Sequence, residues 1–301
     1  MIISQESPIR VSFGGGGTRC APTDGGLLEV SLPMPVLAGR GDETILPVEV
    51  RSSRCYSEHG FELVEGHGWL AGVAVAEVPA GGIGDAAFDV YRTLIDRFGP
   101  GRRFYRVWNY LPHINRMVGG QENYRAFNVG RARAFEEADA IPDAQKLPAA
   151  SAVGIDDEKL CVIFLAGKWG VDYFENPAQV PAYRYPPAYG PRPPSFCRGA
   201  VVGEQGISFL SGTASIRGHA TVGAGDVVRQ AGVTADNVEL MAATMGTGAP
   251  RQFKCYLRHG ERDLEAVRAV LEPGLGEGVT TYLKADICRR DLLLEVEGVY
   301  S

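Results

Sequence analysis

The chain has 301 residues, 45% of them hydrophobic and 22% charged, which is the makeup of a globular protein with room for one large or two medium domains. Its 30 basic and 36 acidic side chains leave a formal net charge of −6. With no basic surplus to follow a phosphate backbone or an anionic bilayer, nucleic acid and membrane surfaces are not expected partners.

At the start, MIISQESPIRVSF lacks a charged region followed by an apolar one, and no later stretch is apolar for long enough to cross a bilayer, so a cytoplasmic location is expected. Gly14 to Gly17 is followed by no Gly-Lys-Ser/Thr and has no G-x-G-x-x-G spacing, so it reads as a turn and not as a phosphate cradle. Cys20, Cys55, Cys161, Cys197, Cys255 and Cys288 form no C-x-x-C pair. Neither a zinc site nor a disulfide framework is expected, and a reducing compartment fits.

From Gly68 onward one order of elements occurs twice. In the first copy WLAGVAVAE is a strand, DAAFDVYRTLIDRFG a helix opened by Asp85 and closed by Gly99, FYRVWNYL a strand and ENYRAFNVGRARAFEE a helix. AASAVGI and KLCVIFLAG then alternate around Asp156-Asp157-Glu158 and predict a closing hairpin. In the second copy GISFLSGTASI is a strand, residues 236–245 a helix, RQFKCYLR a strand and RDLEAVRAVLEPG a helix, with TTYLKADIC and LLLEVEGVY as the hairpin. Helices alternating with strands but ending on two strands predict an α+β fold, two tandem units with helices on one face of each mixed sheet. The expected parts are an N-terminal extension packed on the core (1–67), a first unit (68–167), a linker (168–199) and a second unit (200–301). Prolines bar regular helix from that linker, and its tyrosines suit a cover over a cleft better than a spacer.

The last strand places Leu293, Glu295 and Glu297 on one face and Leu294 and Val296 on the other. An arbitrary Glu-x-Glu strand is more often a solvated sheet face, but its context here is specific. ISFLSGTASI, RQFKCYLR and YLKADICRRDLLLEVEGVY together resemble the core of the RidA (YjgF) family, whose ligand cleft lies between adjoining units and takes the first Glu of its closing strand. That position is Glu295. The arginine with which RidA proteins bind a carboxylate falls near Thr280 and Thr281, so the imine-deaminase site is not intact. NYLPHIN (109–115), ENYRAFNVGRARAF (122–135), the AYRYPPAYGPRPPSFCRGA linker and SGTASIRGH (211–219) resemble the chorismatases, and with the closing strands they span most of the chain from Trp69 to Tyr300.

The resemblance implies two RidA/YjgF-like (chorismate-mutase-like) units and an enzyme that releases pyruvate from chorismate without metal or redox cofactor. Chorismate carries two carboxylates. Arg131, on a helix face with Tyr124, Asn128 and Phe135, and Arg198 are the candidate clamps, with Ser195, Tyr183 and Tyr189 as hydroxyl donors. Glu295 is the expected acid, with a pKa raised by an apolar cleft and by Glu297. Thr213, Ala214 and Cys288 are expected near the ring, and His113 and His219 to orient hydrogen bonds.

A cysteine at 288 resembles the 3-hydroxybenzoate-forming branch. The alternatives are hydrolysis to a dihydroxycyclohexadiene carboxylate, formation of 4-hydroxybenzoate, or, in another class, a RidA-like imine deaminase or a non-catalytic binding module. RidA units close three-fold rings, so either residues 1–67 supply a missing wall or chains associate, as a monomer or a small homo-oligomer respectively.

Overall fold

A computed structural model describes residues 9–23, 28–45, 53–80, 82–138 and 147–301. Two mixed sheets follow the same path. The first contains, from edge to edge, Ala149–Ile155, Arg103–Pro112, Lys159–Gly167, Trp69–Glu77, Phe61–Gly66 and Arg54–Glu58. The second contains Thr280–Lys284, Pro250–Leu257, Leu294–Tyr300, Ile207–Thr213, Gly199–Val202 and Asp172–Phe174, with Val36–Ala38 added beside Thr280–Lys284. Helices α1 (Ile83–Thr93) and α2 (Asn123–Glu137) belong to the first copy, and α3 (Val227–Met245) and α4 (Glu261–Leu275) to the second. The repeated order begins at Arg54 and Asp172, earlier than the pattern from 68 and 200 suggested, because two shorter strands, the first of them at the sheet edge, precede each long one.

The expected closing hairpins do not form. Ala149–Ile155 pairs in parallel with Arg103–Pro112, while Lys159–Gly167 lies antiparallel on that strand's other side. In the second copy Thr280–Lys284 and Leu294–Tyr300 flank Pro250–Leu257 in the same way. The strands between them are buried over most of their length, so their backbone groups need partners on both edges, which a central position supplies.

Helix boundaries also shift. Asp85 lies in the first turn of α1 and not at its cap, which is Gly82. α3 starts at Val227 and not near 236, because the Asp226 carboxylate accepts the Arg229 N–H at 3.0 Å. It stops at Gly246, which takes a left-handed φ of 61°.

Helices α1 and α2 pack on the outer face of the first sheet, through Ala87, Tyr91, Phe127, Phe135, Val162 and Phe164. Helices α3 and α4 cover the outer face of the second, through Val238, Met241, Val267, Leu271, Leu294 and Val296. The inner faces share one core, built from Trp108, Tyr110, Ile163 and Leu165 on one side and Phe209, Tyr256 and Leu283 on the other. A third sheet, of Arg19–Pro22, Leu28–Leu32, Ile9–Phe13 and Asp42–Thr44, adds Ile9, Val11, Leu28 and Val30 to that core. The N-terminal segment thus supplies a third wall from within the chain. Among the described residues, no helix is long and apolar enough to cross a membrane.

Candidate active site

The two copies meet where Ala149–Ile155 runs beside Ile207–Thr213. The Ser211 hydroxyl fastens the seam, accepting the Ala150 N–H at 2.9 Å and donating to the Cys197 carbonyl at 2.6 Å. A cavity of about 930 Å³ opens at this seam, with Ser151, Gly212, Ala214 and Glu295 in its lining. Tyr124 and Arg131 of α2, Arg198, Tyr185, Tyr189 and residues 288–292 also line it.

Glu295 is 4% exposed. Burial, and next the charge on Glu297, push its carboxyl up to about 8, against the pull of Arg106 and Arg198. Among the described residues its Oε1 atom has no hydrogen-bond partner. Room for it depends on Gly212, where a Cβ would lie 2.2 Å from that oxygen.

Glu297 shares the inner face and behaves in the opposite way. Burial resists its ionisation, but Lys254 and Arg106 prevail and bring its carboxyl down to about 2. Arg106 Nη2 lies 2.6 Å from its Oε2, Lys254 Nζ 2.7 Å from its Oε1, and the Tyr256 hydroxyl donates to Oε1 at 3.0 Å. One strand therefore carries a carboxylic acid that holds its proton at neutral pH and, two residues on, a permanent carboxylate. Leu293 precedes the strand and packs with the helices, so the acidic face starts at Glu295.

Arg131 and Arg198 are 2% and 3% exposed, yet among the described residues neither forms an ion pair. Arg131 donates to Asn128 Oδ1 at 2.8 Å and Arg198 to the Tyr185 hydroxyl at 2.7 Å, and the Nε of each has no hydrogen-bond partner among the described residues. A buried guanidinium without a carboxylate is costly unless an anion joins it. Two such groups beside a protonated acid suit a doubly negative substrate.

Of the residues singled out from sequence, Glu295, Arg131, Arg198, Tyr124, Tyr189, Ala214 and Cys288 converge on this cavity. Tyr183, Ser195, Thr213 and His113 do not line it. Thr213 lies between Gly212 and Ala214 on a pleated strand, and its hydroxyl turns to the Ser211 carbonyl at 2.8 Å. Ser195 is likewise flanked by Pro194 and Phe196, which do face inward. Tyr183 packs against the core under α1 and α2. His113 holds Glu158 at 3.0 Å in a separate surface cleft with Arg116 and Arg258. His219 stays outside the lining, with its Nδ1 3.1 Å from the Tyr189 hydroxyl.

Arg289 was not anticipated. Its guanidinium stacks 4.0 Å from the Tyr189 ring centre and 5.0 Å from that of Tyr185, and Nη1 donates to the His219 carbonyl at 2.9 Å. The signal was the Arg-Arg pair directly after Cys288. Cys288 itself is no nucleophile: burial, with the Glu295 charge, pushes its thiol up to about 12. Among the described residues no three His, Cys, Asp or Glu side chains converge as metal ligands.

Residues 49–166 match the family model described as chorismatase FkbO/Hyg5-like, N-terminal. A 3-hydroxybenzoate synthase from Streptomyces hygroscopicus is 39% identical over 234 residues, which cover 71% of this chain and 68% of that protein. A chorismatase from Streptomyces rapamycinicus is 38% identical over 250 residues, 75% of this chain and 73% of that one. A chorismatase crystal structure superposes with a TM-score of 0.82 at 29% identity, covering 97% of this chain and 92% of its own. Shared sequence over most of both lengths, with the same architecture around the seam, shows that the chain belongs to the chorismatase family.

Proposed function

We propose that the protein releases pyruvate from chorismate by protonating the enolpyruvyl ether, leaving 3-hydroxybenzoate as the ring product. The observation that carries this reading is Glu295, a carboxyl raised to about 8 in a cavity whose walls hold two buried arginines that form no ion pair among the described residues. Arg131 and Arg198 take the two carboxylates of chorismate. Glu295 then gives its proton to the terminal methylene carbon, which becomes a methyl group while positive charge develops at the ether carbon.

The neighbouring ring hydroxyl then attacks the ring carbon that bears the ether: its proton passes to the Glu295 carboxylate, and the bond from that carbon to the ether oxygen breaks, its electrons forming the carbonyl of the departing pyruvate. The resulting epoxide opens at its other carbon, taking a proton onto oxygen while the ring loses one from carbon and aromatises, which leaves the acid protonated. Pyruvate and hydroxybenzoate together contain the atoms of chorismate, so no water is consumed. Hydrolysis would add one water per turnover. The 3-hydroxybenzoate branch is supported by Cys288 in the cavity wall and by the similarity to a 3-hydroxybenzoate synthase. Three walls closed within one chain suit a monomer or small homo-oligomer, acting in the cytoplasm.

The test is to incubate the purified protein with chorismate, follow pyruvate with coupled lactate dehydrogenase, and identify the ring product by chromatography. Pyruvate with 3-hydroxybenzoate is expected. No pyruvate would overturn the reading, and a dihydroxycyclohexadiene carboxylate or 4-hydroxybenzoate would move it to another branch.

A further inference from the structure

Beside the substrate cavity lies a second, of about 20 Å³, too small for a substrate and lined by Glu43, Arg106, Lys254 and Glu297. All four side chains are buried, and each of the three walls contributes. Glu43 comes from Asp42–Thr44 of the N-terminal sheet, Arg106 from the first large sheet, and Lys254 and Glu297 from the second. Lys254 Nζ bridges Glu43 Oε1 and Glu297 Oε1, and also donates to the Tyr110 hydroxyl at 3.1 Å. Gln252 holds the other Glu43 oxygen at 2.8 Å. Chains of buried charge are costly to assemble unless each member is paired, and this one ends two residues from the acid.

We propose that this chain of charges is the positioning device for the acid. Lys254, held from the N-terminal wall by Glu43, acts with Arg106 to fix the negative charge on Glu297, and that charge adds to burial in keeping the proton on Glu295. The inference rests on Glu295 being the proton donor, and it assigns tasks to residues that touch no substrate.

The groups facing Glu295 decide the sign. Glu297 comes from its own strand, Arg106 from the first sheet, Arg198 from the linker end and Cys288 from the segment before the strand, with the Tyr124 hydroxyl added from α2. Glu297 is the one anion among them, and the two arginines favour ionisation of Glu295. The groups facing Glu297 are Lys254, Arg106, Ser151 and Tyr256, with the Glu43 and Tyr110 side chains behind Lys254.

Lys254 stays a firm cation, raised by Glu297 and Glu43 against the effect of burial. Glu43 is pushed upward by burial although it touches the same ammonium. The two directions agree once the pair is seen as a triad: one cation is shared by two carboxylates, and Glu297, which also has Arg106, takes the negative charge first.

Glu297→Gln removes the anion and leaves both arginines facing Glu295. The alkaline limb of kcat/KM for pyruvate release should then move to lower pH by about 1–3 units, with kcat on the acidic plateau falling less than kcat/KM at pH 8. Lys254→Met takes away one of the two cations that hold Glu297 as an anion, and its limb should move the same way by a smaller amount. A loss of rate and melting temperature at every pH, with the limb in place, would show a purely structural role and overturn the proposal. A limb that moves in Glu297→Gln but not in Lys254→Met would remove Lys254 and Glu43 from it.

A second readout needs no turnover and no destabilised variant. The infrared spectrum of the unmodified protein minus that of Glu295→Gln should contain a protonated-carboxyl band at pH 6 that titrates with a midpoint near 8. A Glu295 carboxyl already ionised at pH 6 would overturn the proposal. Absence of pyruvate release together with that band would sink the functional reading and leave the proton assignment standing.

Discussion

The two copies share one path of strands and helices, yet they use the inner face of their closing strand in opposite ways. In the first copy that face holds Cys161, Ile163 and Leu165, all part of the shared core. In the second it holds Glu295, Glu297 and Val299. The outer faces do not differ in kind, with Leu160, Val162 and Phe164 against one helix pair and Leu294 and Val296 against the other. The fold therefore needs apolar side chains where a strand meets its helices but tolerates charge on the inner side, provided that partners are at hand. Those partners come largely from elsewhere: Arg106 and Ser151 from the first copy, and Glu43, through Lys254, from the N-terminal sheet. The second copy carries Glu295, and the first carries Arg131 and Tyr124, which line the same cavity.

The sharpest way to break this comparison is Glu295→Gln, which keeps the shape of the side chain and removes its acidic proton. Turnover at saturating chorismate should fall roughly 10²–10⁴-fold, about 3–5 kcal/mol of barrier, with binding by calorimetry retained. Turnover near the parent rate would place the acid elsewhere. A smaller effect sharpens the comparison from the other copy. Ile163 faces Val73 and Trp108 across the strands, so Ile163→Glu puts a carboxylate on the same inner face without a cation of its own, Arg106 being already paired with Glu297. Denaturant unfolding should show a loss of about 3 kcal/mol. Unchanged stability would mean that the partners around Glu297 are not what makes buried charge tolerable there.

Much of the local structure was legible because it rests on neighbouring residues. Trp69–Glu77, Ala149–Ile155 and Lys159–Gly167 were bounded correctly by alternation and by the polar turn at 156–158. Strand order was not, since the choice between a hairpin and a shared central strand depends on where Arg103–Pro112 finds its partners. The first half of α3 was missed because its opening signal is a single Asp226 cap.

In the site, Glu295 was visible through the Glu-x-Glu spacing together with the family resemblance, and Arg131 through its helix face. Thr213 and Ser195 failed by one residue, the step that turns a side chain to the other face of an extended chain. Arg106 and Lys254 were readable in principle: Arg106 is the one cation in FYRVWNYL and Lys254 stands between Phe253 and Cys255 in RQFKCYLR, and a cation among apolar strand residues demands a buried partner. Which partner, and that Glu43 comes from a segment with no strong pattern, only the three-dimensional arrangement of the walls could tell.

The central claim is that Glu295 holds its proton at neutral pH because of where the fold puts it, and the pH dependence of kcat/KM for the unmodified protein tests that most directly. The acid must be protonated to act, and its carboxyl is raised to about 8, so activity should persist through neutrality and fall with a midpoint near pH 8. An ordinary glutamic acid would lose its proton at about pH 4.3. A profile that has already collapsed by pH 6, with the protein still folded, would contradict the account.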